Sequence, residues 1–203
     1  MREPGDARAK RFALRGDTAS QLAEFAIALP LLIFFVVGIF DFSGAFTLKQ
    51  KLTNIARDTA RAAAADPATD LSSALPYSVS DAFYIFDNYL GANNIDDCGI
   101  ALPTTVAQAL TWQSTVASSS SSPCGITFTI NRGYYLPLAT PSVPPTVSCT
   151  PLQPGASATQ VVATCVSIQY SYQWHFGQVA SFFGGNAVLP TSISAVAVAM
   201  NEN

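Results

Sequence analysis

Sixteen consecutive residues, Phe25 to Phe40, carry neither a charge nor a strongly polar side chain. Glu24 stands directly before this run and Asp41 directly after it. As a helix the run spans about 24 Å, short of a hydrocarbon core of about 30 Å. Extension from Leu22 to Phe46 supplies the missing length. It also sets both carboxylates near the interfaces, where a charge costs less than at mid-bilayer. Pro30 lies inside this helix, where it removes one backbone donor and bends the axis slightly. From Ala45 onward the pattern changes. Leu48, Leu52, Ile55, Ala56, Thr59, Ala60 and Ala63 recur at steps of three and four, one face of a helix. Lys49, Asn54, Arg57, Asp58 and Arg61 point elsewhere, and Asp66-Pro67 ends the element. The pattern therefore predicts one helix of about 45 residues, from near Leu22 to near Ala65. It is lipophilic all round at first and striped afterwards. The stripe of Leu48, Leu52, Ile55, Ala56, Thr59 and Ala63 is expected to pack on the chain's own C-terminal domain; contact with another subunit is the alternative.

The rest alternates between turn signals and short periodic runs. Residues 67–76 read as a polar linker. Val79–Leu90 reads as a second helix, with Ser80 as N-cap and Gly91, Asn93 and Asn94 as the stop. Residues 103–112 are ambiguous, with Pro103 placed to open a short helix ending near Trp112. Ser118–Ser122 is a loop tip. Ile126–Ile130 alternates apolar residues with Thr, Val161–Trp174 alternates over the longest stretch, and Ile193–Met200 closes the chain as a strand. Six prolines between 137 and 155 exclude helix and central strand there. Gly184, Gly185 and Asn186 turn the chain between the last two strands. The expected fold class is α+β: a long N-terminal transmembrane and amphipathic helix, a second helix, and a small antiparallel sheet of three or four strands. Its domain plan is residues 1–19 as a leader or cytoplasmic tail, 20–65 as the helix, and 66–203 as an extracytoplasmic domain. This is also the general plan of type IV pilin-like subunits.

Charge and cysteine place the chain. The chain has 203 residues, of which 49% are hydrophobic and 11% charged, a globular rather than disordered composition. Of ten basic residues, five precede the apolar run, four lie at Lys49, Lys51, Arg57 and Arg61, and only Arg132 follows. A C-terminal region so poor in cations does not bind nucleic acid through counterion release. The basic N-terminus predicts a cytoplasmic start and an exported C-terminal domain; the second basic group weakens that asymmetry. All four cysteines, Cys98, Cys124, Cys149 and Cys165, follow the apolar run. Their even number predicts two disulfides in an oxidising compartment, with three pairings open. Their spacings match no zinc pattern. A cleavable secretory signal is the rival for the N-terminus, with Ser43-Gly44-Ala45 as its cleavage site. The apolar run is too long for it, and continues into a striped helix instead of a polar mature start.

Ser20-Gln21-Leu22-Ala23-Glu24-Phe25-Ala26 and Leu29-Pro30-Leu31-Leu32 resemble the opening of TadE-like proteins. So do Gly38-Ile39-Phe40-Asp41-Phe42, Leu52 through Asp58, and Ala60-Arg61-Ala62-Ala63. Val166–Tyr170, Tyr172, Phe183-Gly184-Gly185 and the closing Met200 and Glu202 are more loosely similar. The resemblance implies a pilin-like component, a pseudopilin or minor pilin, of the tight-adherence machinery that builds adhesive type IV pili in bacteria. Its implied partners are the inner membrane, other pilin-like subunits, the assembly machine and a prepilin peptidase. It also implies cleavage between Ala19 and Ser20, five residues before the conserved Glu, which maps to Glu24. The residue before the cut is usually Gly in the family and is Ala19 here. Cleavage creates an ammonium at Ser20, and Glu24 is suited to pair with such a charge on its own or a neighbouring subunit, offsetting the cost of either charge in lipid.

No catalytic constellation is legible, and neither a cofactor nor a metal is expected. His175, the one histidine, reads as a surface or strand-edge residue. Asp96 and Asp97 read as solvated loop residues, and Asp81 and Asp87 do not share a helix face. No nucleophile elbow or phosphate-binding loop is present. Tyr134, Tyr135, Tyr170, Tyr172 and Trp174 read as core aromatics, with a partner-binding surface as the alternative. The expected function is non-enzymatic pilus assembly. The alternatives are a secreted disulfide-bonded binding module released by signal peptidase and a membrane-anchored envelope hydrolase.

Overall fold

The computed structural model describes residues 14–67, 69, 71–119, 122–137, 149, 160–175 and 189–202. Two helices come first, α1 at Leu14–Ala65 and α2 at Tyr77–Ala92. Five strands follow: β1 at Thr104–Thr105, β2 at Thr111–Val116, β3 at Ile126–Pro137, β4 at Gln160–Ser171 and β5 at Ser192–Met200. They form one antiparallel sheet in sequence order, β1-β2-β3-β4-β5. The α+β class expected from the hydrophobic pattern stands, with five strands instead of three or four. The chain divides into two compact units. One comprises Met1–Ser43 and Trp174–Val188, the other Gly44–Gln173 and Leu189–Asn203.

α1 is longer than the sequence pattern indicated, at 52 residues, and it continues through Pro30. In the second unit its striped portion is buried: Ala45, Leu52, Ile55, Ala56, Thr59, Ala60 and Ala63 lose nearly all solvent contact, and Leu48 is half-buried. Packing within the chain's own unit thus accounts for the stripe. Its small residues allow close backbone approach, and its Leu and Ile fill the remaining space. Polar contacts fix its register. Lys49 donates to the Ser194 carbonyl of β5, and Lys51 Nζ donates to the Asn93 carbonyl at 3.0 Å.

The sheet's packed face is built of matched rows. Trp112, Ile130, Val166 and Ala197 form one row across β2–β5, and Phe128, Ile168 and Ala195 form another. All seven are buried. Phe83 and Phe86 of α2 meet Phe128 with ring centroids 5.9 and 4.5 Å apart, an aromatic cluster that adds to simple area burial. The Trp112 indole donates to the Ala74 carbonyl at 2.9 Å, tying the linker before α2 to the sheet.

A bulge between Asn131 and Tyr134 shifts the β3–β4 register by one residue. The Asn131 side chain holds it, accepting the Gly133 N–H at 2.8 Å and donating to the Cys149 carbonyl at 3.0 Å. A Cβ at Gly133 would lie 2.8 Å from Leu110 Cδ1, so a larger residue there would make the Leu110 side chain shift. The bulge leaves Arg132 fully buried. Its guanidinium donates to the Asp66 carbonyl at 2.9 Å and to Thr164 Oγ1 at 3.3 Å. The one cation beyond residue 61 therefore sits at the C-terminus of α1, where the helix dipole and orphan carbonyls favour positive charge.

Three local expectations are corrected. Residues 103–112 form no helix; Thr104 and Thr105 pair with Gln113 and Trp112 as an edge strand, because sheet pairing overrides the proline start signal. Ser80 is not the N-cap of α2. The helix starts at Tyr77 after Pro76, which supplies an extended φ and ψ and no side-chain bond, while Ser80 Oγ donates back to the Tyr77 carbonyl at 2.9 Å. β4 ends at Ser171, so Tyr172 and Trp174 do not continue the strand face of Tyr170. The expected turn at 184–186 and most of the proline-rich stretch lie outside the described residues.

The disulfides join Cys98 to Cys124 and Cys149 to Cys165, with Cα–Cα distances of 5.5 and 5.6 Å. One of the three possible pairings is thereby selected. For closed loops of this size each bridge stabilises the fold by about 3 kcal/mol. Cys149 and Cys165 join Tyr134 and Ala163 in a small buried cluster on the sheet's second face.

Candidate functional site

The N-terminal portion of α1 presents its large apolar side chains outward. Leu22, Phe25, Ile27, Leu31, Leu32, Phe35, Ile39 and Phe40 are all exposed, Ile27 by 78%. A helix with so many uncovered Leu, Ile and Phe side chains is uneconomical in water and at home in hydrocarbon. It is long and apolar enough to cross a membrane. Ala19 and Ser20 lie within α1 rather than in an extended segment. Glu24 is exposed on the same helix and makes no ion pair among the described residues.

The carboxylate at the far end behaves differently. Asp41 is 6% exposed, and His175 Nδ1 lies 3.4 Å from its Oδ1. Beside them Phe42 and Trp174 have ring centroids 5.2 Å apart. His175 is exposed, as expected of a surface residue, and its ring meets Asp41 while its neighbour Trp174 meets Phe42. The sequence pattern puts Asp41 at an interface and carries no sign of this partner, since the two lie 134 residues apart.

On the second unit, α1 and α2 frame a polar groove of about 330 Å³ lined by Lys51, Asn54, Arg57, Asp58, Arg61, Tyr89 and Asn93. The Tyr89 hydroxyl donates to Asp58 Oδ2 at 2.8 Å. That hydrogen bond, and then the Asp58 charge, raise the Tyr89 phenol above its ordinary 10.0. In the sequence this basic group bears on membrane topology alone. Its signal was the i, i+4 spacing of Arg57 and Arg61.

The remaining candidates form no reactive constellation among the described residues. Asp96 lies with Cys98 and Cys124 in a tight group, but both sulfurs are consumed in the disulfide, which leaves one carboxylate to offer a cation. Asp96 and Asp97 are exposed, as expected, and each accepts a backbone N–H in its own turn. Tyr134 is buried, and Tyr135, Tyr170, Tyr172 and Trp174 are half-buried, closer to core aromatics than to a sticky surface.

A family likeness lies in the sequence of α1. Residues 19–61 match the TadE-like protein family. The match begins at Ala19, covers Glu24, the apolar run and most of the stripe, and ends at Arg61. It bears out the resemblance of the N-terminal motifs; the looser C-terminal likeness lies outside it. The TadE-like match associates the chain with the tight-adherence pilus machinery. Comparison with curated proteins and with solved structures finds no match.

Proposed function

We propose that this TadE-like chain is a non-enzymatic pilin-like subunit, a pseudopilin or minor pilin, that helps assemble a tight-adherence pilus. One observation carries the reading: a single helix, α1, leaves Leu22–Phe46 largely uncovered while Leu52–Ala64 is built into a folded unit. The first stretch is suited to lipid and to neighbouring helices. The second makes the helix inseparable from the unit it carries. The TadE-like match over residues 19–61 points the same way. In this reading residues 1–19 form a cytoplasmic leader, residues 20–65 the anchoring and packing helix, and residues 66–203 an extracytoplasmic domain. The two disulfides support an oxidising compartment for that domain, and hence an N-terminus in the cytoplasm.

Glu24 is the residue on which assembly turns. A prepilin peptidase cuts between Ala19 and Ser20, and the new ammonium pairs with a Glu24 carboxylate on the same or an adjacent subunit. In a low-dielectric setting each charge offsets the other's desolvation. Glu24→Gln keeps the size and removes the charge. In the native bacterium it should abolish surface pili while the protein remains in the membrane fraction with both disulfides intact. Normal pilus numbers with Glu24→Gln would refute the pairing. Sequencing the mature N-terminus separates the alternatives: Ser20 for peptidase processing, Phe46 for signal peptidase, Met1 for an uncut anchor.

A further inference from the structure

The charged side chains of the second unit are mostly engaged. Lys49 and Lys51 donate to main-chain carbonyls, Arg132 is buried at the end of α1, and Asp58 accepts the Tyr89 hydroxyl. Arg57 and Arg61 stand apart. Both are exposed, and neither has a hydrogen bond or ion pair among the described residues. They lie four residues apart on one helix face, where like charges repel mildly until an anion bridges them. The walls around them are held in place by the Lys51–Asn93 and Asp58–Tyr89 bonds, so the groove is preformed.

A complementary feature lies on the other flank of α2. Asp87, Asp96 and Asp97 line a recess of about 530 Å³ with Asn88, Gly91 and Ile95. None of the three carboxylates has an ion pair among the described residues. The Asp96 and Asp97 turn is rigid. Asp96 Oδ1 accepts the Cys98 N–H at 2.9 Å, Asp97 Oδ1 accepts the Gly99 N–H at 3.1 Å, and Cys98 is bridged to Cys124. On a helix of 100° per residue, Asp87 points about 200° from Tyr89. The anionic recess and the cationic groove therefore flank the buried face of α2 on opposite sides, and one copy does not close the contact on itself.

We propose that a second copy of this chain sets its Asp87, Asp96 and Asp97 recess against the exposed Arg57 and Arg61 side chains of the first. The contact is heterologous, head to tail, and so propagates from copy to copy instead of stopping at a pair. The guanidinium forks match carboxylates bidentately, and the opposed charges steer encounter and set register. This deepens the pilin-like reading, since it rests on copies standing side by side in a membrane, and it names a head contact separate from the Glu24 helix contact.

The test uses full-length protein with donor and acceptor fluorophores, reconstituted in zwitterionic vesicles and read by energy transfer between copies. R57E/R61E should weaken association about tenfold or more at low salt, as should D96N/D97N, which keeps the oxygen that accepts the turn's N–H. Salt of about 0.5 M should weaken the wild type similarly. Mixing R57E/R61E with D87K/D96K should restore transfer, because each variant then offers the charge the other needs. Undiminished transfer by R57E/R61E alone overturns the proposal. So does a loss seen only in vesicles containing anionic lipid, which would assign the groove to lipid headgroups. Glu24→Gln in the same vesicles reads the helix contact independently: pilus loss with Glu24→Gln but unchanged transfer with R57E/R61E sinks the head contact and leaves the pilin-like reading standing.

Discussion

The two parts of α1 share one backbone and one rich supply of apolar residues, yet they solve opposite problems. Before Ser43 the helix uses large side chains, Leu, Ile and Phe, and leaves most of them uncovered. From Leu52 to Ala64 it uses Ala with Leu52 and Ile55, and buries nearly all of them. The difference is one of arrangement more than of hydrophobicity. Apolar residues on every side need an apolar solvent, whereas apolar residues on one stripe need only a partner surface. The charges do not follow that division: Glu24 is exposed and Asp41 buried in the first part, while in the second Lys49 and Lys51 bond backbone carbonyls and Arg57 and Arg61 stay exposed.

The largest effect should come from breaking the all-round character of the first part. Leu32→Arg with Phe35→Arg adds about 2.5–3.5 kcal/mol of insertion cost for each Arg near the bilayer centre. Carbonate extraction should move the protein from the membrane to the soluble or aggregated fraction. Leu52→Ala attacks the stripe instead. Leu52 is fully buried, so its truncation should destabilise the second unit by about 2–5 kcal/mol. Thermal unfolding reads that loss, while membrane extraction should stay as in wild type. Phe35→Ala is the matched control: a side chain of similar bulk removed from the uncovered part should leave the unfolding temperature unchanged.

A smaller effect tests how α1 is ended. Arg132→Met removes the cation beside the Asp66 carbonyl and should cost about 1–3 kcal/mol, with chemical denaturation as the measurement. Least in size is the response to alkali. Burial raises the Tyr134 phenol above 10.0, and burial followed by the charges of Asp96 and Asp97 raises that of Tyr170. The folded state then holds these protons more tightly than the unfolded chain does. Their contribution is fully present below pH 10.0 and is lost as pH rises through the higher folded values. The unfolding temperature should fall above that pH, and Tyr134→Phe should flatten the fall. A Tyr134→Phe profile as steep as wild type would exclude that tyrosine as a source.

Much of this fold is local and was legible. The α1 stripe is a periodicity of three and four, β4 and β5 are alternations, and neither depends on what lies elsewhere in the chain. Ser20, Glu24 and the motifs around them were readable for the same reason. Other features were not. β1 is two threonines whose strand geometry comes from pairing with Gln113 and Trp112. The N-cap signal of Ser80 lost to Pro76, which presets the entry backbone one turn earlier.

The amino-acid order alone determined that one long helix changes from an all-round to a one-sided apolar surface, that strands follow it, and that the cysteines come in even number. Tertiary structure alone decided which cysteines meet, that Arg132 ends α1, that Asp41 finds His175, and that Arg57 and Arg61 share a groove with Tyr89. Helical and strand periods are carried by neighbours in sequence. Bridges, caps and grooves join groups tens of residues apart, and only the packing of the whole chain selects one such meeting among the many its composition allows.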